Sequence, residues 1–278
     1  MNGTPILLIG GKKESGKSTV AKVAEEQLGA VVISFAAPMK RFAAALGMPF
    51  DNLWGSTAKR DEAIETPEFF KEMPNTSHWD CWEHSKQFAE AFNEHLAPVF
   101  GGVGVPGSMG IVAGWCWSEW RWVNGSTDSP AHPFTCRHAL QTLGTECGRS
   151  INPDCWGNYG METAFKVLTG EFSYTQPGGL VKTEQGKYML PKMAAIDDCR
   201  FPNELLIGAR VGAKSIYVDR PSTAGKAGDH ASETSLDLIP QYWWGTLLRN
   251  DRDLPTLTRL AKHKLNALGF SNGLENYD

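Results

Sequence analysis

The chain has 278 residues, of which 41% are hydrophobic and 21% are charged, and its formal net charge is −4 at pH 7. This length suits one large domain or two small ones, and the apolar content is sufficient for a sizeable core. The negative charge argues against broad, nonspecific binding of nucleic acid. No apolar run is long enough to span a bilayer, so we expect no membrane association.

The N-terminal sequence carries no pattern of a secretory signal. Its apolar run at residues 6–9 is far shorter than the hydrophobic region of a signal peptide. None of the six cysteines forms a Cys-x-x-Cys pair. We therefore expect a cytoplasmic protein with reduced thiols.

The first predicted element is a buried strand at residues 6–9, which leads into a glycine-rich turn and an amphipathic helix. Gly11 through Ser18 fit G-x-x-x-x-G-K-[ST], the phosphate-binding motif of the P-loop NTPases. Glycines let backbone N–H groups surround a phosphate, and the helix N-terminus adds the positive end of its dipole. We expect Lys17 to reach the β- and γ-phosphates of a nucleotide and the Ser18 hydroxyl to bind magnesium.

Residues 30–35 are predicted to form a second buried strand, because β-branched and apolar residues follow one another without a break. A helix with a proline in its first turn follows at residues 36–46. This β–loop–α–β–α order predicts a doubly wound α/β fold.

Residues 55–133 give weaker signals. Residues 60–98 are predicted to be helical, and residues 99–114 are rich in glycine and are predicted to form a flexible or hairpin-forming loop. Residues 115–122 contain four tryptophans, and we interpret them as a half-buried strand pair rather than as a surface that stacks bases. We treat residues 73–133 as an insertion on the substrate side.

The C-terminal half again alternates strands and helices. Helices are predicted at residues 136–144, capped by Thr135, and at 154–168, 202–211 and 254–268; strands at 193–198, 215–218 and 246–248; and a surface hairpin insertion at 170–191. Together with the first two strands, this predicts a parallel sheet of about five strands flanked by helices.

Three clusters of polar residues lie outside the glycine-rich turn. The first contains Arg137, Gln141, Thr145, Glu146 and Arg149, whose arginines either form a clamp for a phosphate or are solvated surface residues. The second follows the predicted strand at 193–198, where one carboxylate, which we take as Asp198, would hold magnesium. The third, residues 219–233, is either a lid over phosphates or a plain loop.

The chain resembles the tailed-phage deoxynucleoside monophosphate kinases, a divergent branch of the P-loop nucleoside-phosphate kinases. The blocks that carry the resemblance keep the family's order and lie at residues 11–19, 35–40, 137–146, 156, 198–204, 212–213, 218–221, 230–233 and 250. The block Leu-Gln-x-x-Gly-Thr-Glu at 140–146, followed by Asp-x-Arg-x-x-x-Glu at 198–204, is the most selective part. About 73–133 and 170–190 have no counterpart.

The resemblance implies a single P-loop kinase domain over residues 1–278, in the host cytoplasm if the chain is phage-encoded. It implies transfer of a phosphoryl group from ATP, with Mg²⁺, to a deoxynucleoside monophosphate. The residues that it assigns to ATP and magnesium are Gly11, Lys13, Ser15, Gly16, Lys17, Ser18, Thr19, Asp198 and Arg220. It assigns Lys40, Arg137 and Gln141 to the acceptor, Arg200 and Glu204 to the strand end between the substrates, and His230 and Glu233 to a mobile cover. Arg149, from the first polar cluster, is a further candidate for the acceptor.

Other functions stay open at this point. The nearest is a P-loop kinase that phosphorylates a hydroxymethylated pyrimidine in phage DNA, for which Asp198 or Glu204 would act as base. A nucleotide-dependent switch or motor and a non-catalytic binding module are further alternatives. The sequence leaves open the base selectivity of the acceptor, the role of the tryptophan-rich insertion and the number of chains that assemble, a homodimer included.

Overall fold

The computed structural model describes residues 4–71, 86–102, 107–125, 130–175, 179–182, 190–221 and 230–270, with the backbone alone at 179–182, 232 and 233. The chain divides into two compact units. The first unit consists of Met1–Phe35 and Trp156–Asp278, and the second unit is Ala36–Cys155.

All strands of the described residues belong to the first unit. They are β1 Ile6–Gly10, β2 Ala30–Ile33, β3 Phe172–Thr175, β4 Gly179–Lys182, β5 Met193–Cys199, β6 Lys214–Asp219 and β7 Thr246–Arg249. Five of them form one all-parallel sheet in the order β2-β5-β1-β6-β7. The sheet predicted from the sequence is thereby confirmed.

Helices account for most of the remaining described residues. They are α1 Lys17–Leu28, α2 Ala37–Ala45, α3 Phe50–Trp54, α4 Thr57–Asp61, α5 Glu68–Lys71, α6 Lys86–Ala91, α7 Ser108–Asn124, α8 Cys136–Gln141, α9 Arg149–Ile151, α10 Cys155–Leu168, α11 Pro202–Arg210, α12 Ala231–Thr234 and α13 Leu254–Ala267. Two π-helical turns extend α6 and α8, at Phe92–Leu96 and Thr142–Gly148, and 3₁₀ turns lie at Ser235–Leu238 and Gln241–Trp243.

Helices cover both faces of the five-stranded sheet. On one face, Leu7 and Ile9 pack with α1 and α13 in a core in which Val20 and Leu265 are also fully buried. On the other face, α11 lies so close that a Cβ added to Gly208 would be 2.4 Å from Leu8 Cδ1. Because both faces are covered, the strands are continuous apolar runs, which is why the sequence reveals them.

A separate two-stranded hairpin lies in the first unit. β3 and β4 pair antiparallel, from Phe172 opposite Lys182 to Thr175 opposite Gly179. They lie within residues 170–191, where the turn signals predict a hairpin; residues 176–178 and 183–189 are outside the described residues.

The second unit is helical and has an aromatic core. Phe42, Phe70, Phe88 and Phe134 are buried there, and Trp115 contacts the rings of Phe42 and Phe70. Its described residues include short helices within 60–98, where the sequence predicts helix; residues 72–85 lie outside them.

The prediction of a strand pair at 115–122 is wrong, because these residues lie in α7. Val112, Trp115, Cys116 and Glu119 are buried, at the spacing of one helix face. The other three tryptophans fall on partly exposed faces, and this obscures the period in the sequence. The loop predicted at 99–114 is also wrong from Ser108 onward, where α7 begins; residues 103–106 are outside the described residues.

None of the helices in the described ranges combines the length and the apolar character that crossing a membrane requires.

Candidate functional site

The glycine-rich loop, Gly11–Gly16, follows β1 at a reversal of the sheet order. Gly10 ends β1 beside Cys199 of β5 and Tyr217 of β6. The chain adds β2 and β5 on one side of β1 and then β6 and β7 on the other. In open α/β sheets, ligands bind outside the carboxyl ends of the strands at such a reversal. The loop therefore lies where this class of sheet binds its ligands.

The loop is tightly curled, with positive φ at Gly11 (148°), Glu14 (62°) and Gly16 (105°). A positive φ is uncommon for a residue other than glycine, so Glu14 marks a conformation that the surrounding contacts impose. A Cβ at Gly11 would lie 2.5 Å from Ser15 Oγ and 2.6 Å from the carbonyl oxygen of Val218. Only glycine fits there, which is the structural reason for the first glycine of the motif.

Ser15 lies inside this curl. It is 1% exposed, and its Oγ atom has no hydrogen-bond partner within the described part of the structure. A buried hydroxyl without a partner is unusual in folded proteins, because it has lost the hydrogen bonds of water. An anion held in the loop would supply the missing acceptor.

The helix that follows the loop, α1, begins at Lys17, directly after Gly16. Gly16, the N-cap of α1, has no side chain that could cap the first amides of the helix, and the Thr19 amide donates to the Gly16 carbonyl oxygen (3.1 Å). Ser18 and Thr19 are the second and third helical residues, and their N–H groups belong to this first turn. Helix N-termini of this kind bind phosphate groups.

Lys17 folds back from the first turn of α1 onto the start of the loop. Its Nζ atom donates to the carbonyl oxygens of Gly11 (2.6 Å) and Lys12 (2.7 Å). The ammonium group is thereby fixed against the loop backbone. Lys12 and the partly buried Lys13 add two further cations to the loop.

Side chains from the later part of the chain anchor the loop. Arg220 Nη1 donates to the carbonyl oxygen of Glu14 (2.9 Å), and Asn250 Nδ2 donates to that of Ser15 (2.7 Å). Lys12 forms an ion pair with Asp237 (2.7 Å). The ring of Trp244 covers Gly10 so closely that a Cβ there would lie 2.1 Å from it. The loop is thus held in one conformation from several sides.

The sequence-predicted carboxylates lie at the carboxyl end of β5. Asp198 accepts hydrogen bonds from Ser34 Oγ (2.6 Å) and from the Phe35 amide (2.8 Å), and so ties the end of β2 to that of β5. Glu204 is 3% exposed and accepts from the amides of Arg200 (2.7 Å) and Phe201 (3.0 Å). These contacts of Glu204 are those of a helix cap at the start of α11.

The predicted cover is described only at its ends. Arg220 reaches the loop, and the carbonyl oxygen of His230 accepts from the Thr234 amide (3.2 Å) at the start of α12. Glu233 lies in α12, and residues 222–229 lie outside the described residues.

The remaining predicted site residues belong to the second unit. Arg137 of α8 forms an ion pair with Asp61 of α4. Lys40 Nζ lies 5.8 Å from the ring centroid of Trp54, and Arg149 Nη1 donates to the carbonyl oxygen of Pro153 (2.8 Å). Gln141 is the last residue of α8.

The most selective sequence block, residues 140–146, coincides with the π-helical turn Thr142–Gly148. A π-helical turn is rare and is frequently found at functional sites. Thr142 is surrounded by Trp115, whose Nε1 donates to it (2.8 Å), and by Glu119, whose Oε1 lies 2.7 Å away. Burial raises the pKa of the Glu119 carboxyl to about 7.

Sequence reasoning missed the residues that anchor the loop. Asp237 and Trp244 were not singled out, and Asn250, which is among the residues that carry the resemblance, was given no role; Asn250 directly follows β7, at the sheet edge where ligands bind. That position and its place in the resemblance are the two signals by which the role of Asn250 could have been found.

Comparison of the sequence with models of protein families gave no match, and comparison with curated proteins gave none either. Among the described residues, no group of three or more His, Cys, Asp or Glu side chains is arranged to hold a metal ion.

Proposed function

We propose that this chain is a P-loop kinase that transfers the γ-phosphoryl group of ATP to a deoxynucleoside monophosphate and so forms the diphosphate. The observation that carries the proposal is the curled, glycine-rich loop at the reversal of the sheet order, with Lys17 folded onto it. Such a loop concentrates backbone amides, a helix N-terminus and a lysine at one point, which suits the triphosphate of a nucleotide.

The residues of the first unit fit ATP and Mg²⁺. Ser15 is buried, and its hydroxyl has no hydrogen-bond partner among the residues that the structure describes. This hydroxyl and the close approach at Gly11 are features of a cradle for an anion. Mg²⁺ prefers oxygen ligands and takes few of them from the protein; the Ser18 hydroxyl and the Asp198 carboxylate would hold it. When bound, the ion neutralises charge on the phosphates.

The second unit offers the groups that an acceptor phosphate needs. Arg137 is oriented by Asp61, and an arginine oriented in this way binds a phosphate through two N–H groups at once. Lys40 and Gln141 are the further donors that the resemblance to the tailed-phage deoxynucleoside monophosphate kinases assigns to the acceptor, and Arg149 belongs to the same polar cluster as Arg137. The resemblance and the charge of these groups both favour a phosphate acceptor.

The chemistry of such an acceptor needs no general base. A phosphate monoester loses its second proton near pH 6, so its oxygen is already anionic near neutral pH. That oxygen forms a bond to the γ-phosphorus while the bond to the β–γ bridging oxygen breaks, and ADP leaves. The residues have to align two anions and to neutralise their charge. Lysines and arginines perform this role without moving a proton.

Phosphorylation of a hydroxymethylated pyrimidine in DNA is less well supported. A neutral alcohol needs a base, and Asp198 and Glu204 both accept hydrogen bonds from backbone amides that would lose an acceptor if the carboxylate turned away. Trp115 is buried in the core, and Trp122 is already stacked on His132 and His138. Because these rings already pack against other side chains of the protein, they offer no free face on which a DNA base could stack.

The test is release of ADP from ATP in the presence of each deoxynucleoside monophosphate, or of duplex DNA that contains a hydroxymethylated pyrimidine. We expect turnover with one or more mononucleotides. Lys17→Met should lower turnover by about 10²–10³-fold, because one preorganised charge on the transition state is lost. Lys22→Ala, an exposed lysine of α1 that pairs with Glu26, is the matched control. Turnover with the DNA alone, or full activity of the Lys17 variant, would overturn the proposal.

A further inference from the structure

A buried polar cluster in the second unit lies outside the functions assigned so far. Glu119 of α7 is 2% exposed. Its Oε1 atom is 2.7 Å from Thr142 Oγ1 and 3.5 Å from His138 Nε2, whereas its Oε2 atom has no hydrogen-bond partner within the described residues. Burying a carboxylate with only one of its two oxygens hydrogen-bonded costs free energy of folding, which suggests that Glu119 has a specific role.

Thr142 connects this carboxylate to helix α8. Its Oγ1 atom accepts a hydrogen bond from Trp115 Nε1, since an indole nitrogen only donates. It has one hydrogen to donate but three acceptors in reach: Glu119 Oε1 at 2.7 Å, the His138 carbonyl at 3.1 Å and the Ala139 carbonyl at 3.2 Å. The hydroxyl therefore bonds either to the neighbouring helix or to its own.

The charge of Glu119 decides between these acceptors. An ionised carboxylate is a stronger acceptor than a backbone carbonyl, so it draws the hydroxyl of Thr142 toward α7. A neutral carboxyl competes poorly, and the hydroxyl returns to the carbonyl oxygens one turn earlier in its own helix. Bonds of that kind bend a helix. The two protonation states of Glu119 thus favour two geometries at the junction of α8 and the π-helical turn.

The side chain of His138 is fixed in a way that supports this coupling. Its ring stacks on Trp122 with centroids 4.2 Å apart, and the ring of His132 stacks on Trp122 at 3.8 Å. Two rings so close to one indole occupy opposite faces, so Trp122 is enclosed by imidazoles. This stack holds His138 Nε2 beside Glu119 Oε1.

Other titratable and charged groups lie on α7 and on the elements that pack on it. Glu146 of the π-helical turn raises the pKa of Glu119 further, whereas burial keeps the thiols of Cys116 and Cys147 protonated by raising their pKa. The charged groups on α8, α5 and α2 are Arg137 paired with Asp61, Lys71 paired with Glu65 and Glu68, Lys40 over Trp54, and Arg41.

We propose that Glu119 is a positioning residue: by gaining or losing a proton it sets, through Thr142, the geometry of the helix that carries Arg137 and Gln141. Its ionised form holds α8 to α7. The consequence for affinity rests on the proposed function: the acceptor nucleotide binds more tightly when Glu119 is ionised. The coupling between Glu119 and Thr142 is independent of any substrate.

The coupling is tested by ¹⁹F NMR on protein labelled with 5-fluorotryptophan, with the Trp115 resonance assigned by Trp115→Phe. The indole of Trp115 donates to Thr142, so its resonance should shift between pH 6 and 8 in the wild type. Glu119→Gln imitates the neutral carboxyl and should abolish the shift. The Trp115 indole also interacts directly with the Glu119 carboxyl, so Thr142→Val should reduce the shift to this direct part, and Thr142→Ser, which restores a hydroxyl, should recover its full size. A shift of equal size in Glu119→Gln would overturn the proposal.

The effect on the acceptor is tested by steady-state kinetics over the same pH range. The wild type and Glu119→Gln should have equal KM for the acceptor at pH 6, and the variant should have a KM about fivefold higher at pH 8, since a hydrogen bond to a charged group is lost. Ionisation of the acceptor phosphate affects both proteins alike. Equal KM values at pH 8 would overturn the positioning role. A titrating Trp115 resonance in a protein without kinase activity would instead refute the proposed function and leave the coupling standing.

Discussion

The side-chain amide of Asn250 donates to the carbonyl oxygen of Ser15 over 2.7 Å, across 235 residues of sequence. Asn250 is 8% exposed, and its own backbone amide donates to the carbonyl oxygen of Asp219 (2.7 Å). One residue thus joins the glycine-rich loop to the ends of two neighbouring strands, β6 and β7. The conformation of the loop depends on the sheet edge beside it.

Replacing Asn250 by leucine should disturb the loop while preserving volume. The carbonyl oxygen of Ser15 would be left buried without this donor, which costs about 1–3 kcal/mol of unfolding free energy. We expect this loss in urea unfolding, together with weaker binding of a non-hydrolysable ATP analogue by calorimetry.

Asn52→Leu is the matched control for this substitution. Asn52 makes the same type of bond, from its side-chain amide to the carbonyl oxygen of Lys59 (2.7 Å), but on an exposed surface of the second unit. It should change the unfolding free energy by less than about 0.5 kcal/mol and leave the nucleotide affinity unchanged. Equal effects of the two substitutions would argue against a role of Asn250 in the loop.

Two glycines with nearly the same φ angle separate the effect of backbone strain from that of steric exclusion. Gly16 has φ 105° and Gly102 has φ 103°; a Cβ at Gly16 would lie 2.8 Å from Asn250 Nδ2, whereas at Gly102 nothing lies within 4 Å. Gly102→Ala should therefore lower the unfolding free energy only by the strain of a left-handed backbone at alanine, about 1–2 kcal/mol. Gly16→Ala should lower the stability measured by thermal unfolding by a larger amount, and it should also weaken nucleotide binding. A similar loss of stability in both variants would show that the Asn250 side chain moves away from the added Cβ at little cost.

The sheet could be predicted from the sequence because its strands are buried on both faces. Such strands are short apolar runs between turn residues, and the runs at 6–9, 193–198 and 246–248 coincide with β1, β5 and β7 to within two residues. The glycine-rich loop could also be predicted, because its conformation admits only glycine at Gly11 and so leaves a recognisable pattern in the sequence.

The contacts between distant residues could not be predicted in this way. Asn250 and Ser15, or Lys12 and Asp237, are more than two hundred residues apart, and no local pattern records which side chain reaches which carbonyl group. The tryptophan-rich segment failed for a different reason. A helix in which all faces carry large apolar residues has no clear period, so residues 115–122 looked like strands.

Arg137 should affect the acceptor rather than ATP. Arg137→Ala removes a charged hydrogen-bond donor, so the acceptor KM should rise about 10- to 100-fold, while the KM for ATP changes less than about twofold. Arg121→Ala is the control. Arg121 has no assigned role toward either substrate, and its guanidinium lies over the ring of Trp117 on α7, 4.8 Å from the ring centroid. Asp61→Asn, which keeps the arginine but removes its orienting partner, should raise the acceptor KM to a smaller extent. Equal changes in both substrates' KM after Arg137→Ala would contradict the assignment.

Glu119 should make the stability of the protein depend on pH between about 4.5 and 7. Burial raises the pKa of its carboxyl from 4.5 to about 7 in the folded chain, so the folded state holds this proton where the unfolded state has lost it. The stability that the neutral carboxyl contributes is present below pH 4.5 and is lost as the pH rises through 7. Glu119→Gln carries no such proton. Its unfolding free energy relative to the wild type should therefore increase by about 2–4 kcal/mol between pH 4.5 and 8, as measured by urea unfolding at each pH. Glu90→Gln, at an exposed glutamate of α6, should show a constant difference. A constant difference for Glu119→Gln as well would mean that the pKa of its carboxyl is the same in the folded and the unfolded chain, and that the carboxyl is not buried as described.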